Sequence, residues 1–272
     1  MVSKLDAGVG LVVDTLRELG LDRRTLVMFS SDNGPHKEGG GDPDFFDSNG
    51  PLRGCKRDVY EGGIRVPLIA RWTGRIPPGT INDATVVSSL DLFPTFGSLA
   101  GIDLTRALDR QGVPSTPSAY FDGLDMSEAL LGHKPRRTRP LFWEYGRDET
   151  YLQPARPLDR SPNLALRDGQ WKLLVNADGS RLELYDFSRS VSEFDNVAGQ
   201  HPEVAARLKE RLLTWRRCLP ALNPREELTD PRLGHSANSV VYRYTSGQTV
   251  PPAAAPAIAN APFALTAEVI SD

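Results

Sequence analysis

The stretch that most constrains the chain lies near its beginning, Thr25–Pro67, reading TLVMFSSDNGPHKEGGGDPDFFDSNGPLRGCKRDVYEGGIRVP. An apolar run from Thr25 to Phe29 has the length and character of a buried strand, and it ends at Ser30-Ser31-Asp32-Asn33-Gly34. Two oxygen-bearing side chains, Asp32 and Asn33, thus stand side by side at a strand's carboxyl end. In open α/β sheets that end is where ligands bind. A loop rich in glycine and acids follows, then the cation Lys56 within Leu52-Arg53-Gly54-Cys55-Lys56-Arg57, then Glu61-Gly62-Gly63-Ile64-Arg65-Val66-Pro67. Glycines cluster where backbone turns tightly or approaches a ligand closely, which separates Lys56 from an ordinary surface lysine.

The ordered combination S-D-N-G, N-G-P-L-R-G-x-K and E-G-G-I-R-V-P resembles the sulfatases, sulfuric ester hydrolases with an alkaline-phosphatase-like fold. The resemblance implies that Asp32 and Asn33 bind a divalent metal, usually calcium, and that Lys56 neutralises the sulfate or its leaving oxygen. The chemistry agrees: a hard cation takes carboxylate and amide oxygens, and an ammonium is a point charge suited to a tetrahedral oxyanion. His36, three residues beyond Asn33, is the candidate proton donor or sulfate contact, against the alternative of a solvated loop histidine. The acidic run Asp42–Gly50 does not follow the spacing of a calcium-binding EF-hand loop, and Gly39-Gly40-Gly41 lacks the Lys-Ser/Thr of a phosphate loop. The expected partner is a sulfated small molecule or sulfated glycan. A phosphatase or phosphodiesterase of the same superfamily, and a non-catalytic binding remnant, are the alternatives.

Composition narrows the classes further. A formal charge of −3 gives no electrostatic footprint for nucleic acid or an anionic membrane. No apolar run approaches the roughly 20 residues of a membrane span, and the first residues lack the apolar core of a signal peptide, although the family is often exported. Two cysteines, Cys55 and Cys218, support neither a disulfide framework nor a thiolate metal site. No base lies near Cys55 in sequence, so it reads as a small, inert filler.

In chain order, Leu5, Val9, Val12, Val13, Leu16 and Leu19 recur at helical spacing, with Gly20 as the stop. Val66–Trp72 reads as a second buried strand, and Ser89–Phe96 opens a helix capped by Ser89 or Asp91. Strand-like runs at Pro140–Tyr145, Leu164–Arg167, Trp171–Val175 and Leu182–Tyr185 follow, the later three separated by Asp168-Gly169 and Asp178-Gly179 turns. Val204, Leu208, Leu212 and Trp215 restore helical spacing after Pro202. The expected architecture is α/β: a partial alkaline-phosphatase-like sheet with flanking helices over residues 1–135, then a small α+β antiparallel-sheet subdomain over 136–220. Residues 221–272 read as a Pro/Ala-rich linker with the start of a further β module.

The family's nucleophile, a formylglycine made from a C/S-x-P-S-R signature, is absent from these 272 residues; Cys218-Leu219-Pro220 and Ser115-Thr116-Pro117-Ser118 lack the arginine. The sequence is therefore expected to be the later part of a sulfatase, inactive alone. A sheet without its first strands is expected to self-associate through its exposed edge.

Overall fold

A computed structural model describes residues 2–36, 41–109, 121–146, 152–154 and 156–219. The linker-like tail expected over 221–272 lies outside the described residues. The first element is helix α1 (Val2–Glu18), stopped at Gly20 with φ +65°. A short strand β1 (Val27–Ser30) pairs antiparallel with β2 (Leu68–Arg71) in the register Ser30↔Leu68. Everything from Ser31 to Pro67 is thus one long excursion whose two ends meet at the same end of a two-stranded ladder. Ser30 Oγ–H donates to the Pro67 carbonyl at 2.9 Å and ties that base together.

Neither strand is buried as the apolar runs suggested. β1 is half-buried and β2 begins exposed, with Ile69 60% accessible. The physical reason is that among the described residues each strand has only the other as a neighbour, so its second edge and part of its faces are open. Helix α1 likewise contributes no buried residue, and Leu11 stands 70% accessible. Both leave part of their apolar surface accessible.

The second half is packed far more completely. Strands β3 (Leu141–Glu144), β4 (Leu164–Asp168), β5 (Trp171–Val175) and β6 (Glu183–Asp186) form an antiparallel meander in that order. Gly169 and Gly179, at φ +60° and +85°, make the tight turns that precede and follow β5. The C-terminal helix, Pro202–Arg217, lays Ala205, Leu208 and Leu212 on Leu164, Leu166, Leu173, Val175 and Leu184. Alternation along the strands sends Ala165, Leu174 and Tyr185 to the other face, where Val59 and Tyr60 of the long excursion cover them. The meander is therefore sandwiched between a helix and the loop that carries Lys56. Residues Met1–Arg217 form one compact unit.

Between these halves, a 3₁₀ turn at Ser89–Asp91 leads into the helix Leu92–Leu99. Of the two caps expected, Asp91 stands at the N-cap position of Leu92–Leu99 without a side-chain cap bond. Ser88 rather than Ser89 caps the 3₁₀ turn, where Asp91 completes a capping box by accepting from Ser88 N–H at 2.7 Å. Asp91 is also fully buried, accepting from Leu124 N–H at 2.7 Å and from Arg137 Nη1 at 2.6 Å. Its carboxylate is committed to structure.

Candidate active site

The Ser31–Pro67 excursion is held by backbone hydrogen bonds between its own segments. Gly34 N–H donates to Gly63 O at 2.9 Å, Lys56 N–H to Pro35 O at 2.9 Å, and Gly62 N–H to Arg53 O at 2.7 Å. The Asn49 side-chain amide donates to the Gly54 carbonyl. These bonds bring three sequence-distant pieces, the D-N-G-P turn, the R-G-C-K turn and the E-G-G turn, into direct contact. The contact is possible because the residues are glycines: a Cβ on Gly34 would overlap the Gly62 carbonyl, and one on Gly62 would overlap the Gly54 and Arg53 carbonyls.

Of these pieces the R-G-C-K turn, Arg53–Lys56, forms one wall of a cavity of about 490 Å³, with the other two packed against it from outside the lining. His36 and Lys56 both line it, together with Asp44, Arg156, Asp159 and Phe194. Lys56 is half-buried, and among the described residues its ammonium has no ion pair or side-chain hydrogen bond. A half-buried cation on a cavity wall, without an internal counter-charge, is suited to an anionic ligand. Across the cavity Arg156 is already committed, with Nη1 2.5 Å from Asp44 and Nε 3.0 Å from Asp159.

Cys55 lines the same cavity rather than filling core, its Sγ 3.8 Å from Asp159 Oδ2. Burial, and then the carboxylates of Asp159 and Asp58, push its thiol up to about 12. It remains a thiol at neutral pH, not a nucleophile. Both Cys55 and Cys218 are free.

Beneath Lys56, the Asp58 carboxyl receives the N–H groups of Cys55 at 2.7 Å and Tyr60 at 2.8 Å, which closes the turn from below. Burial raises its pKa from 3.8 to about 8 against those bonds. Between these values the folded chain keeps a proton that the unfolded chain has lost. The resulting stabilisation is fully present below about pH 4 and is lost as the pH rises through about 8. Urea denaturation across that window is expected to show stability falling with pH, and Asp58→Asn is expected to remove that part of the slope.

Asp32 and Asn33 do not line the cavity. Asp32 is exposed beyond the end of β1, without an internal partner among the described residues. The Asn33 side-chain amide donates to Gly34 O at 2.8 Å, which leaves its Oδ1 as an acceptor. Carboxylate and amide oxygens suit a hard cation, but calcium takes 6–8 oxygens. Among the described residues, no group of three His, Cys, Asp or Glu could hold a metal. The pair fits part of a calcium shell and not all of it.

A charged cluster anchors the Lys56 loop to the meander. Lys172, fully buried on β5, lies 2.8 Å from Glu61 Oε1 and 2.8 Å from Glu193 Oε1, and Glu61 N–H donates to Glu193 Oε2 at 2.5 Å. Arg167 and Arg65 approach Glu61 Oε2 at 3.5 and 3.7 Å. Arg53 places its guanidinium 4.0 Å over the Tyr60 ring and bonds Glu193 O at 3.0 Å. Burial by itself would raise the Glu61 carboxyl, but Lys172 and the two arginines outweigh it and hold it below its usual range. Burial likewise opposes the Lys172 charge, and the carboxylates of Glu61 and Glu193 reverse this, so its pKa is raised.

Comparison with known proteins places this geometry. The Sulfatase family model matches residues 1–102, and the model for the N-sulphoglucosamine sulphohydrolase C-terminal region matches residues 54–217, more than half of the chain. The chain belongs to the sulfatase family. Human arylsulfatase A is 33% identical over 236 residues, which are 76% of this chain and 41% of that protein. The N-acetylgalactosamine-6-O-sulfatase of Bacteroides thetaiotaomicron is 29% identical over 232 residues, 78% of this chain and 40% of that protein. Among solved structures, Ps i-CgsB in complex with k-i-k-neocarrahexaose matches with a TM-score of 0.59 at 27% identity, over 79% of this chain and 41% of that one. This sulfatase chain spans about two-fifths of the length of these relatives.

Of the residues singled out from sequence, the structure brings His36 and Lys56 into one cavity and leaves Asp32 and Asn33 outside its lining. Sequence reasoning missed Arg156 and Asp159, which follow a polar, irregular stretch with no periodicity. It also missed Lys172 and Glu193. For Lys172 a signal exists: a lysine inside W-K-L-L, in a strand covered on both faces, has to be buried and paired.

Proposed function

We propose that this chain supplies the oxyanion-binding part, and a portion of the calcium site, of a centre that hydrolyses a sulfate ester to an alcohol and sulfate. The observation that carries the proposal is the half-buried Lys56 ammonium, which lines the cavity beside His36 without an internal counter-charge among the described residues. In that role Lys56 binds the sulfate oxygens and opposes the charge that develops on the ester oxygen as it departs. His36 contacts the sulfate or passes a proton to the leaving oxygen. Asp32 and Asn33 hold part of the shell of a calcium ion, which would lower the pKa of a nucleophile and add positive charge near the oxyanion. The substrate is a sulfated small molecule or sulfated sugar, in keeping with a relative named for N-acetylgalactosamine 6-O-sulfate chemistry and a neighbour solved with a neocarrahexaose. Self-association through the open β1–β2 edges and the exposed Ile69 belongs to the same reading.

The reading requires a nucleophile that these 272 residues do not contain, since no C/S-x-P-S-R occurs in them. Purified chain with calcium and a chromogenic aryl sulfate is therefore expected to release no sulfate, with an aryl phosphate as the control. Sulfate release that Lys56→Ala abolishes would contradict this part of the proposal and require a nucleophile among the residues present.

A further inference from the structure

The loop that carries Lys56 is tied to the rest of the molecule by an unusual device. Its E-G-G turn begins at Glu61, and Glu61 reaches across to Lys172, a lysine in the middle strand of three consecutive meander strands, with no solvent access at all. Alternation puts Lys172 on the same face of β5 as Leu174, the face covered by Val59 and Tyr60. Glu193 closes the triangle, pairing with Lys172 through one carboxylate oxygen and accepting the Glu61 N–H with the other. To do so Glu193 adopts φ +56°, a conformation that a non-glycine residue rarely takes. From Glu61 the connection runs to both candidate ligand-binding turns. Gly63 O receives the Gly34 N–H next to Asn33, Arg53 O receives the Gly62 N–H, and Pro35 O receives the Lys56 N–H.

We propose that Lys172, acting through Glu61 and Glu193, is a positioning residue that fixes the Lys56 turn and the D-N-G-P turn relative to the antiparallel sheet. The inference rests on the reading of Lys56 as the oxyanion ligand. A buried ion pair is a poor source of net stability, because desolvation offsets most of its attraction, but breaking one side of it releases whatever it orients. The cluster therefore does more for the geometry of the loop than for the free energy of folding.

The test uses Glu61→Gln, an isosteric change that keeps a hydrogen-bond acceptor for Lys172 and removes only the loop-side charge. Glu193→Gln serves as the second variant should the first fail to fold. Hydrogen exchange is followed at the amides of Gly34, Lys56, Gly62 and Gly63, and at Leu173 and Leu174 of β5 as the ladder reference. The expected result is exchange about tenfold or more faster at the loop amides with the ladder unchanged, and sulfate affinity reduced by a similar factor. Loop and ladder amides accelerating together would reveal a merely structural contribution, and no change at the loop would remove the coupling; either overturns the proposal. Exchange does not depend on sulfate binding. If wild-type chain binds no sulfate, the reading of Lys56 fails by itself; if it binds and Glu61→Gln binds equally well, the positioning role fails.

Discussion

Gly34→Ala is expected to destabilise the chain by about 3 kcal/mol or more, a large effect for the addition of one methyl group. The new Cβ would fall on the Gly62 carbonyl, with the Gly63 Cα close behind it, and backbone atoms cannot rotate aside as the end of a flexible side chain can. Relief requires parting the two turns, and that breaks the Gly34 N–H to Gly63 O bond and carries Pro35 away from the Lys56 N–H. In a unit of this size such a loss corresponds to a fall of roughly 6–12 °C in melting temperature. Gly8→Ala is the matched control. It sits in the exposed helix α1 with nothing within 4 Å of its Cβ position, and it is expected to stabilise that helix by up to about 1 kcal/mol. Thermal melting followed by circular dichroism separates the two. Equal and small shifts for both variants would show that the turns are not packed backbone on backbone.

The same contact explains why the motifs could be read from the sequence. Glycine at positions 34, 62 and 63 is demanded by close backbone approach, and at 54 by φ +92° beside the Asp58 carboxylate, and that demand leaves a mark on the sequence even when the turns lie far apart along it. The meander and its helix were legible for a related reason. Period-two alternation and the Asp-Gly turns record burial on opposite faces, and Leu208 and Leu212 record the face of the helix that meets the sheet. What the sequence hid is of two kinds. β1 and β2 carry the apolar character of buried strands, yet burial depends on neighbours, and among the described residues each has only the other. Lys172, Glu61 and Glu193 are each an unremarkable charged residue in one dimension. Their meaning arises only when the fold removes water from all three at once.

The role of Lys56 carries the second large effect. In the proposed role, a sulfate dianion entering the cavity would meet the Lys56 ammonium beside His36, while Arg156 is already paired with Asp44 and Asp159. Lys56 is therefore the cation free to bind it among these three basic residues. Losing a charge-assisted hydrogen bond costs about 1.5–3 kcal/mol, which corresponds to a weakening of about tenfold or more. The most direct measurement is a sulfate titration of isotopically labelled chain in calcium, read from backbone amide shifts, for wild type and Lys56→Ala. Saturable shifts gathered at His36, Gly54 and Cys55, lost or weakened at least about tenfold in Lys56→Ala, are the expected result. Shifts scattered over the basic surface, or an affinity indifferent to Lys56→Ala, would contradict the assignment of this cavity as the oxyanion site.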